Sequence, residues 1–345
     1  MSARPVYSIV APVYNEAGNL RRFYDEVVAA LDSTGETWEL LFVDDGSSDG
    51  SMEIMLGLAA ADSRLSVIGL ARNFGHQIAV TAGVDYARGQ AVILIDADLQ
   101  DPPAVIPRLI EKWKEGFHVV YAVRSERRGE SIWKRLSAKL FYRLIHRITD
   151  IDIPVDTGDF RLMDEQVAQV LRQMREHHRF VRGMTSWVGF KQTGVEYARE
   201  QRYWGVTKYP LRKMIAFALD AVTSFSFFPL QIMIYVSFVL ASASLVVGAV
   251  VAILRLARGE AFFGGQATTI VLLLLLSSFQ LFFLFIIGQY VARTYNESRD
   301  RPLYVVASTI GLESARAPTQ RAPVALAGER QAPEGGAEGT RNDGV

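Results

Sequence analysis

Residues 91–103 read AVILIDADLQDPP: an apolar run of strand length that opens directly into a loop carrying Asp96, Asp98, Gln100 and Asp101. An unbroken apolar run bounded by turn residues fits a strand buried on both faces, as in parallel sheets. Runs of similar length occupy residues 7–11, 40–43, 65–70 and 119–123, with helical patterns between them at 20–31, 52–61, 78–87 and 105–113. Strand and helix alternating at this spacing predict βα units and an α/β fold on a mostly parallel sheet. In such sheets ligands bind at the carboxyl ends of the strands.

Three of these strand ends carry acidic groups. The first runs into Pro12-Val13-Tyr14-Asn15-Glu16, the second into Asp44-Asp45-Gly46-Ser47-Ser48-Asp49-Gly50, and the fourth into the loop quoted above. Asp96 and Asp98 stand two apart, so extended backbone turns both carboxylates to one face. Hard oxygen donors of this kind suit magnesium or manganese. A D-x-D pair is a weak signal by itself, and Asp49 and Asp101 read equally well as turn or cap residues. The sequence has no GxGxxG or GxxxxGK phosphate loop, so phosphate charge falls to a metal or to basic side chains.

The 345 residues include 37 Lys and Arg against 37 Asp and Glu, no cysteine, and 50% hydrophobic residues. Balanced charge offers no general attraction to nucleic acid, and no such partner is expected. The lack of cysteine excludes disulfides, thiolate zinc sites, iron–sulfur clusters and a cysteine nucleophile. His177 and His178 have no further ligand pair near them in sequence, so no zinc site is expected there.

The apolar excess is concentrated. No charged residue lies between Asp220 and Arg255, or from Ala261 to Ala292. A bilayer-spanning helix needs about 20 apolar residues, so residues 227–254 and 267–292 are predicted spans, joined by a short extracytoplasmic loop at 255–266. The opening residues lack a signal-peptide pattern. Lys208, Arg212 and Lys213 precede the first span and Arg293, Arg299 and Arg301 follow the second, against Arg255, Arg258 and Glu260 in the loop. That bias predicts a cytosolic domain at residues 1–210, with both termini cytosolic. Residues 211–226 are expected to form a juxtamembrane helix, 293–313 a cytosolic segment with one strand in RPLYVVAST, and 314–345 a disordered tail. Residues 132–148, IWKRLSAKLFYRLIHRI, gather their apolar side chains on one helical face beside Lys134, Arg135, Lys139, Arg143 and Arg147. This basic amphipathic pattern predicts a helix lying in the membrane interface.

Four motifs, VAPVYNE at 10–16, VDDGSSDGS at 43–51, ARNFGHQIAVTAGVDYARG at 71–89 and DADLQDPP at 96–103, together resemble the inverting family 2 glycosyltransferases of GT-A fold. The branch they resemble most contains the polyprenyl-phosphate enzymes, including dolichol-phosphate mannose synthase and bacterial glucosyltransferases of the GtrB type. The likeness runs from residue 7 to about 306 and includes the paired spans. It implies a GT-A, Rossmann-like sheet, a divalent Mg2+ or Mn2+, and a homo-oligomer, with a tetramer expected. The implied reaction moves one sugar from a nucleotide sugar, UDP-glucose favoured, to a polyprenyl phosphate such as undecaprenyl phosphate at the bacterial inner membrane, for use in cell-envelope glycosylation.

Carried over by motif, the resemblance sets Pro12, Tyr14 and Glu16 by the base, and Asp44 and Asp45 by base and ribose. Asp96, Asp98 and Gln100 match the metal-binding segment, with Asp96 also open to a ribose contact. Asp159, in Asp156-Thr157-Gly158-Asp159-Phe160-Arg161, matches the position proposed as base in similar enzymes. A phosphate acceptor is already largely ionised at neutral pH, so Asp159 suits orienting the acceptor or the metal equally well. Arg124, Arg161, Arg202 and Lys208 are the phosphate or acceptor ligands implied, since Arg binds phosphate bidentately and Lys acts as a mobile point charge. The segment RFVRGMTSW at 179–187 resembles a helix lining the acceptor side. GDP-mannose, UDP-N-acetylglucosamine and aminoarabinose donors remain alternatives, as does a processive family 2 polysaccharide synthase. For the synthase, QRYWG at 201–205 matches Q-x-x-R-W only in part, and two spans make no polymer channel. A scaffold without activity predicts eroded acidic motifs, whereas all four are intact.

Overall fold

Each apolar run named above forms a strand in the computed structural model, which describes residues 4–124, 157–177, 179–198, 228–258 and 266–312. The first half runs β1 (Tyr7–Val13), α1 (Leu20–Asp32), β2 (Trp38–Asp44), α2 (Ser51–Ala61), β3 (Leu65–Leu70), α3 (His76–Tyr86) and β4 (Ala91–Leu94). A short turn at Pro103–Val105 then leads into α4 (Ile106–Lys114) and β5 (Val119–Arg124). After residue 156 come β6 (Thr157–Asp164), α5 (Glu165–Gln173), α6 (Val181–Trp187) and β7 (Gln192–Tyr197). Two long helices, α7 (Phe228–Arg258) and α8 (Gln266–Ser298), precede the last strand, β8 (Val306–Ile310).

The strands make one sheet in the order β7-β5-β6-β4-β1-β2-β3-β8. β6 and β8 run antiparallel to their neighbours; the other six strands share one direction. β1 to β4 are buried along their whole length, which is why they read as apolar runs and not as alternating patterns. β6 and β7 are absent from the apolar runs because TGDFRLMD and QTGVEY mix polar and apolar residues.

Helices cover both faces. One core joins Leu20, Phe23 and Val27 of α1, Met55 of α2 and Leu109 of α4 to Ile9, Phe42 and Ile93 of the sheet. The other joins Ala79 and Val80 of α3, Leu171 of α5 and Met184 of α6 to Val10, Val43 and Leu94. Each fully buried Phe or Leu here contributes about 1.5–3 kcal/mol. α3 lies unusually close to the sheet because its Gly83 has no Cβ; one added there would meet the side chains of Val10 and Val43.

α7 and α8 are the two apolar helices. Their 31 and 33 residues correspond to roughly 46–50 Å at 1.5 Å per residue, longer than a hydrocarbon core of about 30 Å. Windows at Met233–Val250 and Leu276–Ser298 have mean hydropathies of 2.2 and 1.3. Ile234, Phe238, Leu281 and Phe285 point outward, and exposed apolar surface on this scale marks a membrane or protein contact. Both helices continue past the expected spans, α7 to Arg258 and α8 to Ser298. Arginine is a good helix former, so a charge alone does not end a helix. α8 stops where Asp300 takes φ +46° and Pro302 follows. The strand expected in RPLYVVAST is β8, paired along the outer edge of β3. The expected interfacial helix at 132–148, the juxtamembrane helix at 211–226 and the tail at 314–345 lie outside the described residues.

Candidate active site

β6 runs against β4 with Leu94 opposite Arg161 and Ile93 opposite Leu162. Carried on two residues, this register sets Asp96 beside Asp159. Side-chain alternation turns Asp96, Asp159 and Arg161 to the face that carries α3 and α6. The carboxyl end of the parallel strands therefore holds a group of carboxylates under the first turn of α3.

His76 and Gln77 open that turn. His76 Nε2 lies 3.1 Å from Asp159 Oδ2 and 3.5 Å from Asp96 Oδ1, so one imidazole links the two acids. Gln77 Nε2 donates to Asp159 Oδ2 at 2.9 Å, and Arg182 Nε donates to Asp159 Oδ1 at 2.8 Å. Burial works against an ionised Asp159, but Arg182 and His76 outweigh it and hold its carboxyl well below the usual range. Desolvation pushes the Asp96 carboxyl the other way, up to about 6, with the carboxylates of Asp159, Asp101 and Asp98 adding to it against His76. Burial opposes the His76 imidazolium, yet Asp96 and Asp159 raise its pKa to about 9. This is an electrostatically loaded site of the kind that marks function.

The D-x-D loop is strained. Leu99 holds φ +60°, a left-handed conformation that costs a branched residue roughly 1–2 kcal/mol, while its side chain is buried. The turn lets Asp98 Oδ1 accept the Gln100 backbone N–H at 3.1 Å. Next along the chain, Asp101 is buried, accepts from the Tyr197 hydroxyl and stands 3.7 Å from Arg124 Nη2. Arg124 Nε also donates to Tyr197 at 3.2 Å, so this arginine ends β5 tied to the D-x-D loop.

At the end of β1, Asn15 takes φ +58° and accepts the Ser48 N–H on Oδ1 at 2.8 Å, joining the first two strand-end loops. Pro12 is buried in β1, whereas Tyr14 is 50% exposed at the mouth. Glu16 accepts from Asn19 Nδ2 at 2.5 Å. Asp49 takes a turn role, accepting from Ala17 N–H and from Ser51 N–H and Oγ. Asp44 is buried and accepts the Ser47 N–H at 3.2 Å.

Two residues stand differently from the sequence expectation. Asp45, expected at base and ribose, accepts the backbone N–H groups of Phe74 and Gly75 at 2.7 and 3.0 Å. Its two oxygens anchor the loop that delivers His76. Arg161, expected on a phosphate, is only 3% exposed. Its guanidinium donates to the carbonyls of Asp159 and Gly158 and to Thr185 Oγ1. It braces β6 against α6, and burial lowers its pKa to about 10. Asp159 pairs with Arg182 rather than with Arg161. Arg202, Lys208 and His178 lie outside the described residues. His177 Nδ1 meets Glu297 Oε2 at 3.1 Å and its Nε2 the Arg301 carbonyl at 3.0 Å.

Gly46 holds the loops in this arrangement. It takes φ +73°, and a Cβ there would lie 2.8 Å from the backbone N of Asn73 and 2.9 Å from the carbonyl carbon of Arg72. Gly46→Ala is expected to cost more than the roughly 1–2 kcal/mol of a left-handed alanine, because rigid backbone must also give way. A lowered thermal midpoint, with weakened nucleotide binding, is the readout.

A glycosyl transferase family 2 model matches residues 8–172. The uncharacterized glycosyltransferase YkcC of Bacillus subtilis is 48% identical over 316 residues, 92% of this chain and 98% of that protein. The prophage bactoprenol glucosyl transferase homolog of Escherichia coli is 39% identical over 299 residues, 87% of this chain and 97% of that protein. Among solved structures, mannosyl-3-phosphoglycerate synthase from Rubrobacter xylanophilus aligns over 64% of this chain and 72% of its own, with 20% identity and a TM-score of 0.43. With its sheet order, its strand-end carboxylates and relatives matched over nearly their full length, the chain is a glycosyltransferase of GT-A fold and belongs to glycosyl transferase family 2.

Proposed function

We propose that the enzyme transfers one sugar, with inversion, from a nucleotide sugar to a polyprenyl phosphate at a membrane surface. One observation carries the reading: a protein named for bactoprenol glucosyl transfer aligns with 87% of this chain at 39% identity, a span too long to leave out the apolar hairpin. UDP-glucose is the favoured donor, and the product is a lipid-linked monophospho-sugar for cell-envelope glycosylation. The enzyme sits in the bacterial inner membrane as a tetramer, with the sheet domain and both termini cytosolic.

In this reading Tyr14, with its ring exposed at the mouth, stacks on the base, with Pro12 and Glu16 beside it and Asp44 on the ribose side. Asp96, Asp98 and Gln100 hold a magnesium or manganese ion. The fit rests on the donor set: hard carboxylate oxygens, crowded enough that the Asp96 carboxyl is pushed up to about 6 by desolvation and by its neighbours. Among the described residues no three His, Asp or Glu converge to hold an ion alone. An ion held by these residues would supply the positive charge that balances the leaving nucleoside diphosphate. An oxygen of the acceptor phosphate attacks the anomeric carbon as the bond to the diphosphate breaks on the opposite face, which inverts the configuration. Arg124, Arg202 and Lys208 supply positive charge near the phosphates, and Asp159 stands on the acceptor side.

Incubating the purified full chain with undecaprenyl phosphate and a panel of nucleotide sugars tests the reading. Mass spectrometry is expected to show a single hexose on the lipid phosphate, with UDP-glucose the best donor. A polymer product would point to a synthase, and no product with any donor would overturn the proposal.

A further inference from the structure

Resting on the reading that the D-x-D loop holds a divalent ion, we infer that Tyr197 is a positioning residue for that ion. Its hydroxyl, acting through Asp101, holds the turn that carries Asp98 and Gln100. The loop needs such a hold. Leu99 at φ +60° is a strained conformation, and strain of this kind persists only where the surroundings over-determine it. Asp98 Oδ1 closes the turn from one side by accepting the Gln100 N–H at 3.1 Å. The other side is fixed at Asp101, the residue directly after Gln100.

Asp101 stands apart from the first acid of the loop. The Asp96 side chain is 35% exposed and that of Asp101 only 1%, so the Asp101 carboxylate faces protein. The Tyr197 hydroxyl donates to Asp101 Oδ1 and accepts from Arg124 Nε at 3.2 Å, while Arg124 Nη2 stands 3.7 Å from Asp101 Oδ2. Two strands thus converge on one loop residue: Arg124 ends β5, and Tyr197, its partner in register, ends β7. Gly158 on β6 makes room for them, since a Cβ there would lie 2.7 Å from Arg124 Nη2 and 3.4 Å from Asp101 Oδ2. The tyrosine ring has its own support. It is buried edge-on against Phe160, with ring centres 6.1 Å apart, and Arg108 of α4 donates to the neighbouring Glu196 carbonyl at 2.9 Å. A hydroxyl on so fixed a ring makes a charge-assisted bond to a buried carboxylate, stronger than one between neutral groups. Hydrogen-bonding partners behind a metal's ligands are commonly worth roughly 10–100-fold in affinity or activity.

The test measures manganese binding to the full chain in detergent, with and without UDP, from the electron paramagnetic resonance signal of the free ion. Tyr197→Phe keeps the ring against Phe160 and loses only the hydroxyl. It is expected to raise the manganese Kd by about tenfold, the lower end of that range. In transfer assays the metal concentration for half-maximal rate is expected to rise in step, with kcat back at the wild-type value once manganese is saturating. Asp101→Asn leaves an oxygen for the hydroxyl but withdraws the charge that faces Arg124, and is expected to shift the Kd in the same direction. It decides the question should Tyr197→Phe fail to fold. Wild-type manganese affinity in both variants would reduce Tyr197 to a packing residue and overturn the inference, as would a kcat that excess metal does not restore. A wild-type chain that binds no manganese, with or without UDP, overturns the metal assignment and this inference together.

Discussion

Asp98→Asn is expected to slow sugar transfer by about two orders of magnitude or more, the usual effect of deleting one major charge-stabilising group, while leaving the fold intact. The side-chain oxygen of asparagine still accepts the Gln100 N–H that Asp98 Oδ1 accepts now, so the strained turn at Leu99 keeps its closing bond. What disappears is one of the two anionic oxygen groups assigned to the divalent ion. EDTA is expected to abolish transfer by the unaltered enzyme, and added magnesium or manganese to restore it. Steady-state rates across a metal titration check both halves: the variant should need more metal and still turn over slowly. Full activity in EDTA would remove the metal assignment.

Glu39→Ala is expected to cost about 3 kcal/mol of stability, a value typical of breaking a buried pair by deleting one partner. Glu39 is buried at the start of β2, where its carboxylate accepts from Ser8 Oγ at 2.5 Å, from Arg88 N–H at 2.9 Å and from Arg88 Nε and Nη2 at 3.0 and 2.7 Å. Ser8 Oγ in turn accepts the N–H groups of Arg88 and Gly89. Removing the carboxylate strips the acceptor from several donors at once. Solvent still reaches Arg88, which keeps the expected loss at the lower end. The network pins the chain just after α3, so the first turn of α3, with His76 and Gln77, is expected to loosen as well. Thermal unfolding in detergent measures the stability, and Glu39→Gln is expected to recover part of it.

The parallel strands were legible because burial on both faces writes an unbroken apolar run, and the strand-end carboxylates were legible because βα sheets put chemistry there. Asp96 and Asp159 do come together, linked through His76. Their partners were not legible in the same way. His76 and Arg182 lie in quoted segments, ARNFGHQ and RFVRGM, yet Asp159 is 83 residues from His76 and 23 from Arg182, and no spacing rule spans such gaps. Arg161 was expected on a phosphate because its motif matches the family's, and a motif match does not show how deeply a side chain is buried. Here α6 covers its face of β6 and buries the guanidinium. The partners of Asp45 were not legible either: they are backbone N–H groups of Phe74 and Gly75, which carry no signature in sequence. β6 escaped notice because the buried Asp159 and Arg161 interrupt its apolar residues.

The order in which the chain is synthesised now acquires a meaning. β3 is among the first strands made, but its outer neighbour β8 is made only after α7 and α8. Until both apolar helices have left the ribosome, β3 presents an open row of N–H and C=O groups, a template for pairing with other chains. The residues that close this edge also reach the catalytic wall. Tyr304 donates to Asp85 on α3 at 2.8 Å, the Ala71 N–H donates to the Val305 carbonyl at 2.9 Å, and Glu297 holds His177 ahead of α6. The nascent domain therefore finishes its sheet, and steadies the helices around Asp159, only after the hydrophobic hairpin has been delivered. A shortened chain that stops before α7 would be an unfinished sheet with a sticky margin, not a soluble version of the enzyme.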